Sequence, residues 1–180
     1  MIDLSGVYIM FSKQLFGLTF LLFLITGCST VINKKNTSLP QGKKYAIASF
    51  WNYTETPMAG LRASSIVESV LAQNNIALVS LIGGGDAVTA VKSKAIFLQK
   101  QKGLALSLNA DYLVIGNVQE WRYKTGIDGE PVVSYSIKVV DLKNSNIIFN
   151  GVGAKSGWGH KSIGVVAQEI AKELIPQFVQ

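Results

Sequence analysis

The stretch from Tyr112 to Ala154 constrains this chain most, because three of its runs carry the two-residue period of half-buried strands. Tyr112 to Tyr123 begins as a continuous β-favouring run and passes into alternation at Val118, Glu120 and Arg122. Val132 to Leu142 alternates around Val133, Tyr135, Ile137 and Val139, and Ile147 to Ala154 follows. A period of two sends successive side chains to opposite faces, so each run offers one apolar face to a core. The connections are turn chemistry: Thr-Gly-Ile-Asp-Gly-Glu-Pro from Thr125 to Pro131, and Lys143-Asn-Ser-Asn146. These features predict a three-stranded antiparallel meander.

Such a sheet needs cover, and the flanking segments supply it. Tyr45 to Asn52 reads as a buried strand, and Ala59 to Asn74 as a helix with Ala63, Ile66, Val67, Val70 and Leu71 on one face. Ile76 to Leu81 is a second strand, and Ala90 to Leu108 a mostly helical segment with indistinct limits. A last helix, Ser162 to Phe178, shows the stripe Ile163, Val166, Ala167, Ile170 and Leu174 behind a Ser162 cap. The order β-α-β-α-β-β-β-α predicts an α/β class: a single-domain sandwich with a mixed sheet covered by helices. Gly83-Gly84-Gly85-Asp86 reads as a loop, because neither Gly-Lys-Ser/Thr nor Gly-x-Gly-x-x-Gly accompanies it.

The N-terminal part follows another logic. Leu15 to Ile25 is unbroken apolar sequence after Lys13, as in a secretory leader, and it is too short to favour a spanning helix. Met1 and Met10 are both compatible starts. The run closes on Ile25-Thr26-Gly27-Cys28, which resembles the bacterial lipobox: a branched apolar residue, small residues, then the cysteine that takes acyl chains. Residues 1–27 are therefore expected to be a lipoprotein signal peptide, 28–44 a lipidated flexible tether, and 45–180 a periplasmic α/β domain. Ser29 resembles the residue found in lipoproteins sent to the outer membrane.

Composition removes several function classes. One cysteine and one histidine (His160) exclude a disulfide framework and a Cys- or His-rich metal site, and no cofactor is expected. The formal charge is +6, and one lysine and one aspartate in the leader cancel, so the mature part keeps that value. Its lysines are scattered or paired rather than blocked, which reads as a solvated face near a membrane and not as a nucleic-acid site.

Ala110-Asp-Tyr-Leu-Val-Ile-Gly-Asn-Val-Gln-Glu-Trp121 and Tyr123 to Pro131, together with Val140-Asp-Leu142 and Gly151 to Trp158, resemble the PelC family. These are outer-membrane lipoproteins of Pel exopolysaccharide export, more distantly similar to the curli-secretion lipoprotein CsgG. The resemblance implies a non-enzymatic, homo-oligomeric ring, anchored to outer-membrane lipid, that guides a cationic polysaccharide toward the outer-membrane porin PelB. On matching positions it implies that Trp158 belongs to a membrane-facing aromatic belt and that Asp128 is a funnel carboxylate. Glu130 joins Asp128 by proximity alone. The alternative is a CsgG-like envelope lipoprotein for protein secretion or surface-structure assembly.

Physical chemistry leaves two readings for each of these residues. Trp158, between Gly157 and Gly159, either covers a sheet edge or interface, or presents its indole to a membrane interface, where indoles partition well. Lys155, His160 and Lys161 beside it are candidates for anionic head groups. Asp128 and Glu130 are either solvated turn residues or part of a repeated charge. Singly they hold a cation weakly, at about 0–1 kcal/mol. Trp121, Tyr123 and Tyr135 read as core aromatics, with stacking on sugar rings as the alternative.

Overall fold

The structure, a computed structural model, describes residues 30–34, 38–74, 76–83, 93–126 and 129–175. The meander is present: β5 (Tyr112–Tyr123), β6 (Pro131–Asp141) and β7 (Ile147–Ser156) pair antiparallel in sequence order. β2 (Lys44–Ala48) lies parallel to both β5 and β4 (Ala77–Leu81). The predicted first strand breaks at Ser49-Phe50, and its remainder, β3 (Trp51–Asn52), pairs with β5 alone. With the edge strand β1 (Thr30–Lys34), these form one mixed sheet in the order β1-β7-β6-β5-β2-β4, with three helices: α1 (Ala59–Ala72), α2 (Lys94–Ser107) and α3 (Ile163–Leu174).

β1 (Thr30–Lys34) corrects the sequence reading. Part of the stretch expected to be a flexible tether forms an edge strand antiparallel to β7, with Thr30 opposite Lys155 and Lys34 opposite Gly151. Its polar composition hides it, because an edge strand needs only one inward apolar side chain. Ile32 supplies that side chain by packing against the main core. Leu39 is also buried, so the folded part begins well before Tyr45.

The two faces of the sheet are covered unequally. Helices α1 and α3 close one face over Ile47, Phe50, Val114, Tyr135 and Ile137. Gly153 lets α3 approach, since a Cβ there would stand 2.4 Å from Ile170 Cγ2. The other face carries a small core of Ala46, Ala48, Ala105, Ala110, Leu113 and Leu142 beneath α2. A bulge at Gln119 resets the alternation of β5, so Val118 and Trp121 both point into the main core although three residues separate them. Simple alternation would have sent Trp121 to the opposite face. Ser162 caps α3 as expected, its side chain accepting from the Val165 N–H.

Candidate functional site

Trp158, Lys155, Lys161, Tyr123 and Glu130 lie at one end of the sheet, where β5 turns into β6 and β7 runs into α3. The β7–α3 turn holds its shape through two backbone bonds: Gly157 N–H donates to Pro131 O at 2.8 Å, and Lys161 N–H to Trp158 O at 2.8 Å. Gly157 sits where a Cβ would be 2.6 Å from Val166 Cγ2, so the chain passes close beneath α3 and the next side chain turns outward. Trp158 is 47% exposed.

Tyr123 closes the same end. It is 50% exposed, and its hydroxyl accepts a hydrogen bond from Ile163 N–H, tying the end of β5 to the start of α3. Trp121 is 2% exposed and Tyr135 fully buried, its hydroxyl donating to Ala167 O at 2.7 Å; burial pushes that phenol's pKa up. Two of the three strand aromatics are thus core, as expected, and Tyr123 is not.

Lys155 and Lys161, read from sequence as head-group contacts, are engaged internally. Lys155 Nζ lies 3.0 Å from Glu169 and 3.1 Å from Glu173, while Lys161 Nζ lies 2.7 Å from Glu169. Burial alone would lower the Lys155 pKa, but the hydrogen bonds to Glu169 and Glu173 and the negative charges of both together outweigh it and hold the ammonium above its usual value. Glu169 is shifted below the usual carboxylate value, first by the hydrogen bond from Lys161, against the opposing effect of burial, and then by Lys155. The available sequence signal was the spacing of Glu169 and Glu173, four apart on one face of α3.

Glu130 is likewise held, by Lys124 at 2.7 Å across its own hairpin. Asp128 lies outside the described residues, as does Cys28. A second network was not foreseen. Lys94, at the start of α2, donates to Asn117 and to the Tyr53 hydroxyl, and Asn117 Nδ2 donates to Ser136 Oγ at 3.0 Å. It pins α2 to the sheet, and its members are too far apart in sequence for spacing to reveal it. Among the described residues no cluster of three or more His, Cys, Asp or Glu side chains could hold a metal. No described helix is long and apolar enough to cross a membrane.

No family model matches the chain, and no curated protein does. Solved structures do. The PelC dodecamer from Paraburkholderia phytofirmans is 33% identical with a TM-score of 0.68, over 81% of this chain and 94% of that one. A substituted form of that protein, also a dodecamer, is 35% identical with a TM-score of 0.71, over 84% of this chain and 100% of that one. Lipoprotein GNA1162 from Neisseria meningitidis shares the fold at 13% identity and a TM-score of 0.53, over 73% of this chain and 96% of that one. Identity of this level along nearly the whole of PelC means that the chain belongs to the PelC family.

Proposed function

We propose that this protein is an outer-membrane lipoprotein, cut before Cys28 and acylated there, whose copies form a ring. The ring guides a cationic exopolysaccharide to an outer-membrane porin without breaking bonds. The observation that carries the reading is the likeness to the PelC dodecamer along that chain's entire length. In this reading Trp158 meets the membrane interface and Asp128 faces the passing polymer. Glu130 enters only as a neighbour in the same turn, because Lys124 already neutralises it.

Charge placement supports the polymer's sign. A chain of net +6 is at first sight a poor guide for a cation. At the Trp158 end, however, Arg122, Lys124, Lys155 and Lys161 are paired with Glu120, Glu130, Glu169 and Glu173. Four cations are matched there by four carboxylates, and the sequence carries one further carboxylate, Asp128, per copy. Repeated around a ring at spacings near the Debye length of roughly 8 Å, such charges act together where one alone would not. The basic excess lies elsewhere, partly on α2, which carries Lys94, Lys100 and Lys102 and no acidic residue.

Helix α2 supports assembly. Its sheet-facing residues are Phe97, Gln101 and Ala105, yet Ile96 is 66% exposed, and Leu104, Leu106 and Leu108 at the same helix and its end are exposed too. We assign this exposed side of α2, where the apolar residues stand among Gln99 and Lys100, to contact with the next copy. The test is genetic and biochemical together. Deleting the gene in a polymer-producing host should leave polymer inside the envelope, wild type should restore export, and Cys28→Ala should not. Normal export by the deletion strain would defeat the reading.

A further inference from the structure

We propose that β1 is a short strap that fixes which part of the domain meets the lipid surface. By pairing with β7 it sets Tyr123, Val165 and Trp158 against the bilayer in one orientation. This rests on reading Cys28 as the acylated residue, and adds to it the mechanical role of β1 and two further lipid-facing side chains. Only two peptide units separate Cys28 from Thr30, the first residue of β1. That allows a reach of about 7 Å at full extension. A flexible tether of about 15 residues would instead have an end-to-end distance of roughly 20 Å and leave the domain free to tumble.

The register says which end is drawn in. Thr30 stands opposite Lys155, so the chain enters the sheet beside the last turn of β7, three residues before Trp158. At strand spacing this is about 10 Å along the chain. Ile32 holds the strap down: it packs against the main core, and the missing Cβ of Gly153 leaves room for its Cδ1, which a Cβ would approach to 3.0 Å.

What stands at that end suits an acyl–water boundary. Trp158 and Tyr123 are half exposed, and Val165, in the first turn of α3, is 43% exposed. Tyr123 is joined to the start of α3 by its bond from Ile163 N–H, Val165 by its N–H to the Ser162 cap, and the Trp158 turn is closed by Lys161 N–H on Trp158 O just before that cap. Aromatic rings with a polar edge favour the interface, and a valine beside them favours the acyl side. The nearby lysines are already paired with glutamates, so approach does not strand an uncompensated charge.

The test uses the lipidated full-length protein in vesicles whose acyl chains are brominated. Cys28 is the sole cysteine in the sequence, so an introduced thiol can be labelled selectively once that residue is acylated. Fluorescent probes on Val165→Cys and, at the β6–β7 turn of the opposite end, on Lys143→Cys report proximity to lipid. The Val165 probe should be quenched roughly fivefold more than the Lys143 probe. A Gly-Ser insertion of about ten residues between Ser29 and Thr30 should bring the ratio toward one. Equal quenching at both ends, or an unchanged ratio after the insertion, with Cys28 acylated by mass spectrometry, would overturn the strap alone. An acyl-free Cys28 in the membrane fraction would overturn the lipoprotein reading beneath it.

Discussion

At the residue scale, the ionic cluster of Lys155, Lys161, Glu169 and Glu173 joins β7, the Trp158 turn and α3. Lys155 is 15% exposed in its side chain and Glu169 29%, so solvent screens these pairs less than ordinary surface ones. Glu169→Gln should cost about 1 kcal/mol at neutral pH, read by urea unfolding. The folded carboxyl titrates below 4.5, so its contribution is complete above 4.5 and fades as pH falls through the lowered folded value. The gap between wild type and variant should therefore close in acid. Lys155 has the opposite sign: its contribution is complete below 10.5 and is lost as pH rises through its raised folded value. A gap unchanged by acid would show that Glu169 acts by packing. The proposed role in export makes separate demands on this end. Trp158→Ala should lower polymer export with the melting temperature unchanged, and Asp128→Lys should lower it further. Normal polymer yield from either variant would remove that residue from the path.

At the scale of elements, the legible parts were those whose sequence pattern matches one partner each. β6 shows a clean period of two because Val133, Tyr135, Ile137 and Val139 all meet α1 or α3. α3 shows a clean stripe because one face meets the sheet and the other water. β1 escaped notice because a five-residue edge strand with a single core contact leaves no period to read. The bulge in β5 escaped because Gln119 carries none of the glycine or proline that marks such irregularities. The placement of Tyr123 follows from that bulge, which turns the last residues of β5. Tyr135 shows how the elements are locked: its hydroxyl crosses from β6 to Ala167 O on α3 in a fully buried site. Tyr135→Phe should cost about 1 kcal/mol with no change in secondary structure, measured by thermal unfolding with circular dichroism. A variant as stable as wild type would mean that apolar packing alone joins sheet and helix.

At the scale of the whole molecule, α2 carries the weakest sequence signal and is the surface proposed for assembly. Its limits were indistinct because apolar residues surround it: Phe97 and Ala105 face the sheet, while Ile96, Leu104 and Leu106 face away. A helix apolar on more than one side has no single stripe to read, and in a soluble domain that pattern asks for a second partner. Burying one such side chain is worth about 1.5–3 kcal/mol, so a few of them can hold neighbouring copies together. A closed ring needs two different surfaces on each copy, and in the proposed ring α2 is one of them. Lys94 and Lys102 are occupied by Tyr53, Asn117 and Ser145, so the surface that receives α2 has the exposed apolar side chains together with Gln99 and Lys100 to match. Replacing Ile96 and Leu104 together by aspartate should therefore disperse the assembly, because two desolvated carboxylates per contact cost more than the contact returns. The fold should survive, since neither side chain belongs to a buried cluster. Light scattering on detergent-extracted protein should give single copies for the double variant and a large particle for wild type, with matching circular dichroism. A variant particle of wild-type mass would move the contact between copies away from α2 to some other surface of the domain.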